Sequence, residues 1–153
     1  MEKIKVAVIG AGIYGENHIA ALKHYVNAEL VCFCDKREER LNVIEKKYQI
    51  KGYLDIDDML LHENIDAVTI ATPDPFHLEP TLKAINAGKH VLVEKPLATT
   101  TLDCKLIMEA AKKNNVRVAV DFHKRWDPAS ITIKNELSSG ALGKVIRGYI
   151  SMD

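Results

Sequence analysis

Two rhythms of apolar residues alternate along the chain. Short runs dense in Val, Ile and Leu read as strands: "IKVAVIG" (4–10), "AELVCFCD" (28–35), a weak "KGYL" (51–54), "DAVTIAT" (66–72), "HVLVEKP" (90–96), "VRVAVDF" (116–122) and "GKVIRGYISM" (143–152). Between them apolar residues recur every three or four positions, as on one face of a helix. The segment "ENHIAALKHY" carries Ile19 and Leu22 on one side, continued by Val26. "REERLNVIEKKY" has a stripe at Leu41, Ile44 and Tyr48. Four more helices are predicted: "DIDDMLLHE" with Asp55 as N-cap, "HLEPTLKAINAG" closed by Gly88, "TTLDCKLIMEAAKKNN" with Thr100 and Asp103 spaced as a capping box, and "DPASITIKNEL" with Asp127 before Pro128.

Strands apolar on both sides, separated by single helices, predict an α/β fold. The fold class is a doubly wound parallel sheet of the Rossmann kind, in three layers, α/β/α. The stretch "SSGALGK" is the one plausible boundary, dividing residues 1–137 from residues 138–153.

The turn from the first strand into the first helix carries Gly10, Gly12 and Gly15, with Ala11, Ile13 and Tyr14 between them. In G-x-G-x-x-G the first glycine makes the turn, the second admits a pyrophosphate against bare backbone, and the third lets helix and strand pack closely. The phosphates would sit on the helix N-terminus, where free N–H groups favour negative charge. Asp35 ends the next strand, where a carboxylate accepts hydrogen bonds from ribose hydroxyls. The three features together point to a dinucleotide; a ligand-free tight turn, or another nucleotide such as a sulfonium cofactor, is the alternative. Asp35 repels a 2′-phosphate and so favours NAD. Lys36 and Arg37 follow at once and could take that phosphate, which keeps NADP open.

Charge narrows the partners. Lys and Arg number 21, as do Asp and Glu, giving zero net charge and no basic excess for nucleic acid or an anionic membrane. No apolar run approaches the roughly 20 residues of a membrane span. Three cysteines without a C-x-x-C, Cys32, Cys34 and Cys104, read as reduced thiols of a cytoplasmic protein, the first two as filler within the sheet. No metal site is read from the spacing of the ligating residues.

Two further loops follow strand ends. In "ATPDPFH", Ala71, Thr72 and Pro73 would cover the cofactor, while His77 is either part of that loop or a helix N-cap. In "EKPLA", Lys95 stands between Glu94 and Pro96, and a lysine so placed could bind a hydroxyl oxygen or carry its proton.

With "VIGAGIYGENH", "ATPDPFH", "AINAGKHVLVEKPLA" and "VDFHKRWDPA" in order, the chain resembles the N-terminal part of the Gfo/Idh/MocA oxidoreductases. The resemblance implies that residues 1–137 are a Rossmann domain for NAD or NADP, and that residues 138–153 are a linker and the first strand of a second α/β domain. It implies that Glu94, Lys95 and Pro96 form the family's EKP motif, whose lysine lies near nicotinamide and substrate and is the expected catalytic residue. Thr72, Pro73 and His77 would run along the dinucleotide, and Arg125 and Trp126 would close over its nicotinamide end or form a packing cluster at a helix entry. The implied activity is hydride transfer to or from a hydroxyl-bearing carbon of a sugar, cyclitol or related polyol. Family members are about twice as long. Their second domain carries the substrate pocket, an Asp and a His, and the oligomer contacts, so a homo-oligomer is expected only with that domain. A non-catalytic dinucleotide module or redox sensor is the alternative reading.

Overall fold

A computed structural model describes residues 2–151. Contacts divide the chain into two units that meet at Asp121 and Phe122. The first carries strands β1 (Ile4–Ile9), β2 (Ala28–Cys34), β3 (Lys51–Tyr53), β4 (Ala67–Ile70), β5 (His90–Glu94) and β6 (Val118–Asp121). Its helices are α1 (Ile13–His24), α2 (Glu38–Tyr48), α3 (Ile56–His62), α4 (Leu78–Asn86) and α5 (Thr101–Lys113). All strands are parallel, in the order β3-β2-β1-β4-β5-β6.

Parallel strands need helical crossovers, and the crossovers here cover both faces. On one face α3, α4 and α5 bring Met59, Ile85 and Ile107 onto Ala7, Ile9, Cys32, Cys34, Val68, Ile70, Val91 and Val93. On the other, α1 and α2 bring Ile19 and Ile44 onto Val8 and Phe33. The period of two along β1 and β2 thus splits one apolar run between two cores, which is the expected three-layer arrangement. Gly52 makes the α2 side tight: a Cβ there would lie 2.7 Å from a Leu41 methyl carbon and 2.8 Å from the Phe33 ring.

Three helix starts bear out the expected caps. Asp55 accepts from the N–H groups of Asp57 and Asp58, Thr100 from Asp103, and Asp127 from Ala129. Two expectations fail. The chain leaves α1 at Tyr25, whose extended backbone carries Val26 off the helix, so Val26 is 74% exposed rather than packed with Ile19. Residues 144–151 form no strand: Ile146 and Tyr149 are exposed, and an apolar run without a partner strand makes no ladder. The last position of that expected strand, Met152, lies outside the described residues.

The second unit has a 3₁₀ turn, His123–Trp126, and helix α6 (Pro128–Ser139), which ends at Gly140 in the left-handed conformation. No helix is long and apolar enough to cross a membrane, among the described residues.

Candidate dinucleotide site

The strand order reverses at β1: β2 and β3 lie to one side, β4 to β6 to the other. At such a switch point the loops leaving the carboxyl ends diverge and open a crevice. Ladder bonds continue one residue past the strands and fix the roots of these loops. Gly10 N–H donates to Cys34 O at 2.8 Å, Ala71 N–H to Ile9 O at 2.8 Å, and Asp35 N–H to Tyr53 O at 3.0 Å. The crevice between them has a volume of about 630 Å³.

The three glycines differ in what surrounds them. Gly10 has φ +88°, and a Cβ there would meet the backbone of Ala71 and Thr72 at 2.9 Å. At Gly15 a Cβ would lie 1.7 Å from the carbonyl oxygen of Gly10, so α1 can approach β1 only without a side chain. At Gly12 nothing lies within 4 Å of where a Cβ would be. The protein therefore needs glycine at 10 and 15 for its own packing, while at 12 the bare backbone faces the crevice. Gly12 is also the N-cap of α1 and offers no side-chain cap. The first N–H groups of α1 have no intrahelical partner and point where an anion would lie. Gly12, Ile13 and Tyr14 line the crevice.

Asp35 and Arg40 hold this loop from below. Asp35, 7% exposed, accepts the Ala11 N–H through Oδ2 at 2.8 Å. Arg40 donates through Nε to Ala11 O and through Nη2 to Glu16, so the N–H and the C=O of Ala11, on two successive peptide units, are fixed from the end of β2 and from α2. Arg37 covers the remaining lone pairs of Asp35: its backbone N–H and Nε reach Oδ1, and Nη2 reaches Oδ2, each at 3.0 Å. Burial pushes the Asp35 carboxyl up, but the Arg37 guanidinium and the two N–H donors outweigh it and leave its pKa below the usual value. A carboxylate has about four acceptor positions and all are taken. A ribose hydroxyl binding there would replace a bond from Arg37, whose side chain is 64% exposed and free to turn outward. Lys36 and Arg37 both line the crevice, so the cationic alternative read from sequence stands beside the acidic one.

Ala71, Thr72 and Pro73 line the opposite wall, as expected for that loop. His77 does not. It is fully buried behind the wall, with Nε2 2.8 Å from Thr72 O and Nδ1 2.6 Å from Pro96 O. It stands at the N-cap of α4 but makes no side-chain cap bond. The ring is turned inward, away from the crevice that a dinucleotide was expected to share with it, and bridges the Thr72 and Pro96 carbonyls. A smaller hollow of about 60 Å³ continues from this wall, where Thr72 and Asp74 meet Glu94 and Lys95. Arg125 and Trp126 lie in the second unit, both exposed, with the Arg125 guanidinium 5.4 Å from the centre of the Phe122 ring.

Sequence reasoning missed several walls. Ile9 and Cys34 line the crevice as the last residues of β1 and β2, and Ile56, Glu79 and Pro80 do so from the first turns of α3 and α4. The rule that ligands lie outside strand carboxyl ends could have found the first two. Arg40, Glu16 and His18 gave no local signal, because their partners lie far along the chain.

The family model of the oxidoreductase family with an NAD-binding Rossmann fold, Gfo/Idh/MocA, matches residues 4–122. The chain belongs to that family. As a Gfo/Idh/MocA member it carries the NAD-binding Rossmann domain, and the open backbone at Gly12 is an internal test that it fits such a ligand. Among its relatives, inositol 2-dehydrogenase of Salmonella typhimurium is 34% identical over 145 residues, which are 92% of this chain and 43% of that protein. D-glucoside 3-dehydrogenase of Escherichia coli is 33% identical over 144 residues, 93% of this chain and 41% of that protein. The structure of myo-inositol 2-dehydrogenase from Lactobacillus plantarum superposes with a TM-score of 0.89 at 31% identity, over 95% of this chain and 44% of the other. Scyllo-inositol dehydrogenase from Lactobacillus casei, solved with NAD(H) and scyllo-inositol, gives 0.87 at 28% identity, over 94% and 43%. The chain spans under half the length of the Gfo/Idh/MocA relatives it matches.

Proposed function

We propose that this chain is the cofactor-holding part of a dehydrogenase that moves hydride between a nicotinamide and a hydroxyl-bearing carbon of a sugar, cyclitol or related polyol. One observation carries the cofactor part of this reading. At the switch point of the sheet, the N-terminus of α1 is uncapped and the backbone at Gly12 is open. A pyrophosphate laid there accepts from the N–H groups of the glycine loop, and Asp35 takes the adenosine ribose. Ala71, Thr72 and Pro73 form the facing wall. NAD is the assigned dinucleotide; NADP would instead engage Lys36 and Arg37. The bound nicotinamide supplies or accepts the hydride.

Lys95 is the chain's own candidate for the chemistry. It opens on the hollow shared with Thr72 and Asp74, two strands from the glycine loop. There its ammonium can orient a hydroxyl oxygen and share its proton. The substrate pocket is assigned to residues of a second α/β domain, entered through residues 138–153, and oligomer contacts to that domain as well. Zero net charge and three free cysteines support a cytoplasmic protein without nucleic-acid or membrane partners. Calorimetric titration with NADH and NADPH tests the reading. NADH is expected to bind, more tightly than NADPH. Binding of neither would overturn it.

A further inference from the structure

Lys95 stands between two residues that are each held by a histidine. On one side, Glu94 Oε1 lies 3.0 Å from His18 Nε2. On the other, the Pro96 carbonyl lies 2.6 Å from His77 Nδ1. The two rings come from different layers, His18 from α1 and His77 from the residue that opens α4. Neither lines the crevice. Each uses its second nitrogen on the β4 side: His18 Nδ1 on Thr69 Oγ1 at 2.5 Å, His77 Nε2 on Thr72 O at 2.8 Å.

Both contacts are chemically demanding. Glu94 and Asp121 are register partners at the ends of β5 and β6, so their carboxylates share one face of the sheet. His18 Nε2 reaches both, 3.0 Å from Glu94 Oε1 and 3.8 Å from Asp121 Oδ2, and so stands between two like-charged side chains. At His77 both ring nitrogens face carbonyl oxygens, Pro96 O at 2.6 Å and Thr72 O at 2.8 Å. No apolar side chain of that shape reproduces either arrangement.

We propose that His18 and His77 are positioning residues that fix the segment 94–96 against β4 and the 71–77 loop, and so set where Lys95 meets the nicotinamide. The proposal rests on the dinucleotide reading above. It needs no contact between either histidine and the ligand. Losing His18 leaves Glu94 and Asp121 facing each other and drives the root of Lys95 away. Losing His77 frees the Pro96 and Thr72 carbonyls to water and uncouples the two loops.

ADP-ribose, which lacks the nicotinamide, separates this role from a general loss of structure. Calorimetry on the whole chain would compare ADP-ribose with NADH for the wild type, His18→Leu, His18→Leu with Asp121→Asn, His77→Gln and Lys95→Ala. In the two histidine variants and Lys95→Ala, ADP-ribose affinity should stay within about twofold while NADH affinity falls about tenfold, a loss of about 1.4 kcal/mol. Adding Asp121→Asn to His18→Leu should restore part of the NADH affinity by removing one of the opposed charges. An equal fall for both ligands would make the histidines mere fold supports and overturn the proposal, as would unchanged NADH binding. Should His77→Gln fail to fold, the His18 pair decides alone, since that side chain is already 14% exposed. Failure of the wild type to bind ADP-ribose would overturn the dinucleotide reading itself.

Discussion

The backbone N–H of Ala11 donates to the Asp35 carboxylate at 2.8 Å, which ties the glycine loop to the end of β2. The same carboxylate holds Arg37 by three bonds. Asp35→Ala removes the acceptor for the ribose and releases the guanidinium toward a 2′-phosphate. The expected result is an NADH affinity lower by about tenfold or more, with NADPH affinity retained or raised. Parallel titrations of both cofactors check it; equal losses would show that Asp35 only supports the loop.

Gly12 and Gly15 should respond in opposite ways. Gly15→Ala places a methyl group 1.7 Å from the Gly10 carbonyl and should cost more than about 3 kcal/mol or prevent folding. Gly12→Ala meets open space at φ −68° and should change stability by less than about 1 kcal/mol. Its methyl group occupies the pyrophosphate position, so dinucleotide affinity should fall at least about tenfold. Thermal unfolding of both variants and titration of Gly12→Ala give the two readouts.

Glu16 supplies an acid-sensitive contribution to stability. Hydrogen bonds from Lys47 and then Arg40 lead the causes that bring its carboxyl down to about 2. A depressed folded-state pKa means stability present above the unfolded value, near 4.5, and lost as pH falls toward 2. The wild type should therefore melt above Glu16→Gln at pH 7, and the gap should close between pH 4.5 and 2. A gap independent of pH would remove the charge from the account.

Cys32 and Cys34 sit inside the sheet, and burial pushes both thiols up to about 12. Thiolate is the reactive form, so both should resist a disulfide-exchange reagent in the folded chain. Half-buried Cys104 should react alone, and all three after guanidinium unfolding. More than one fast thiol in the native protein would contradict the packing.

Much of this was legible in the sequence because it is local. Short continuous apolar runs marked the six strands, and the 3.6-residue period marked the helices of the first unit. Asp55, Thr100 and Asp127 announced their caps within three residues of their partners. The last expected strand failed because an apolar run says nothing of a partner to pair with. The site was legible only where the motif is contiguous. His77 reads as a loop residue from its neighbours, yet one of its partners is 19 residues away. Arg40 reaches Ala11 across 29 residues, and His18 reaches Glu94 across 76. Such pairings are properties of topology, and no window of the sequence contains both ends.

The strand order also acts as a ruler. The glycine loop leaves β1 and Lys95 leaves β5, with β4 alone between them. Strands lie about 4.8 Å apart, so the two sites are offset by about 10 Å. A compact ligand can reach one of them or the other. Only an elongated molecule, charged near one end of that interval and bearing its reactive ring at the other, engages both. The pitch of the backbone ladder thus selects for ligand length before any side chain selects for chemistry.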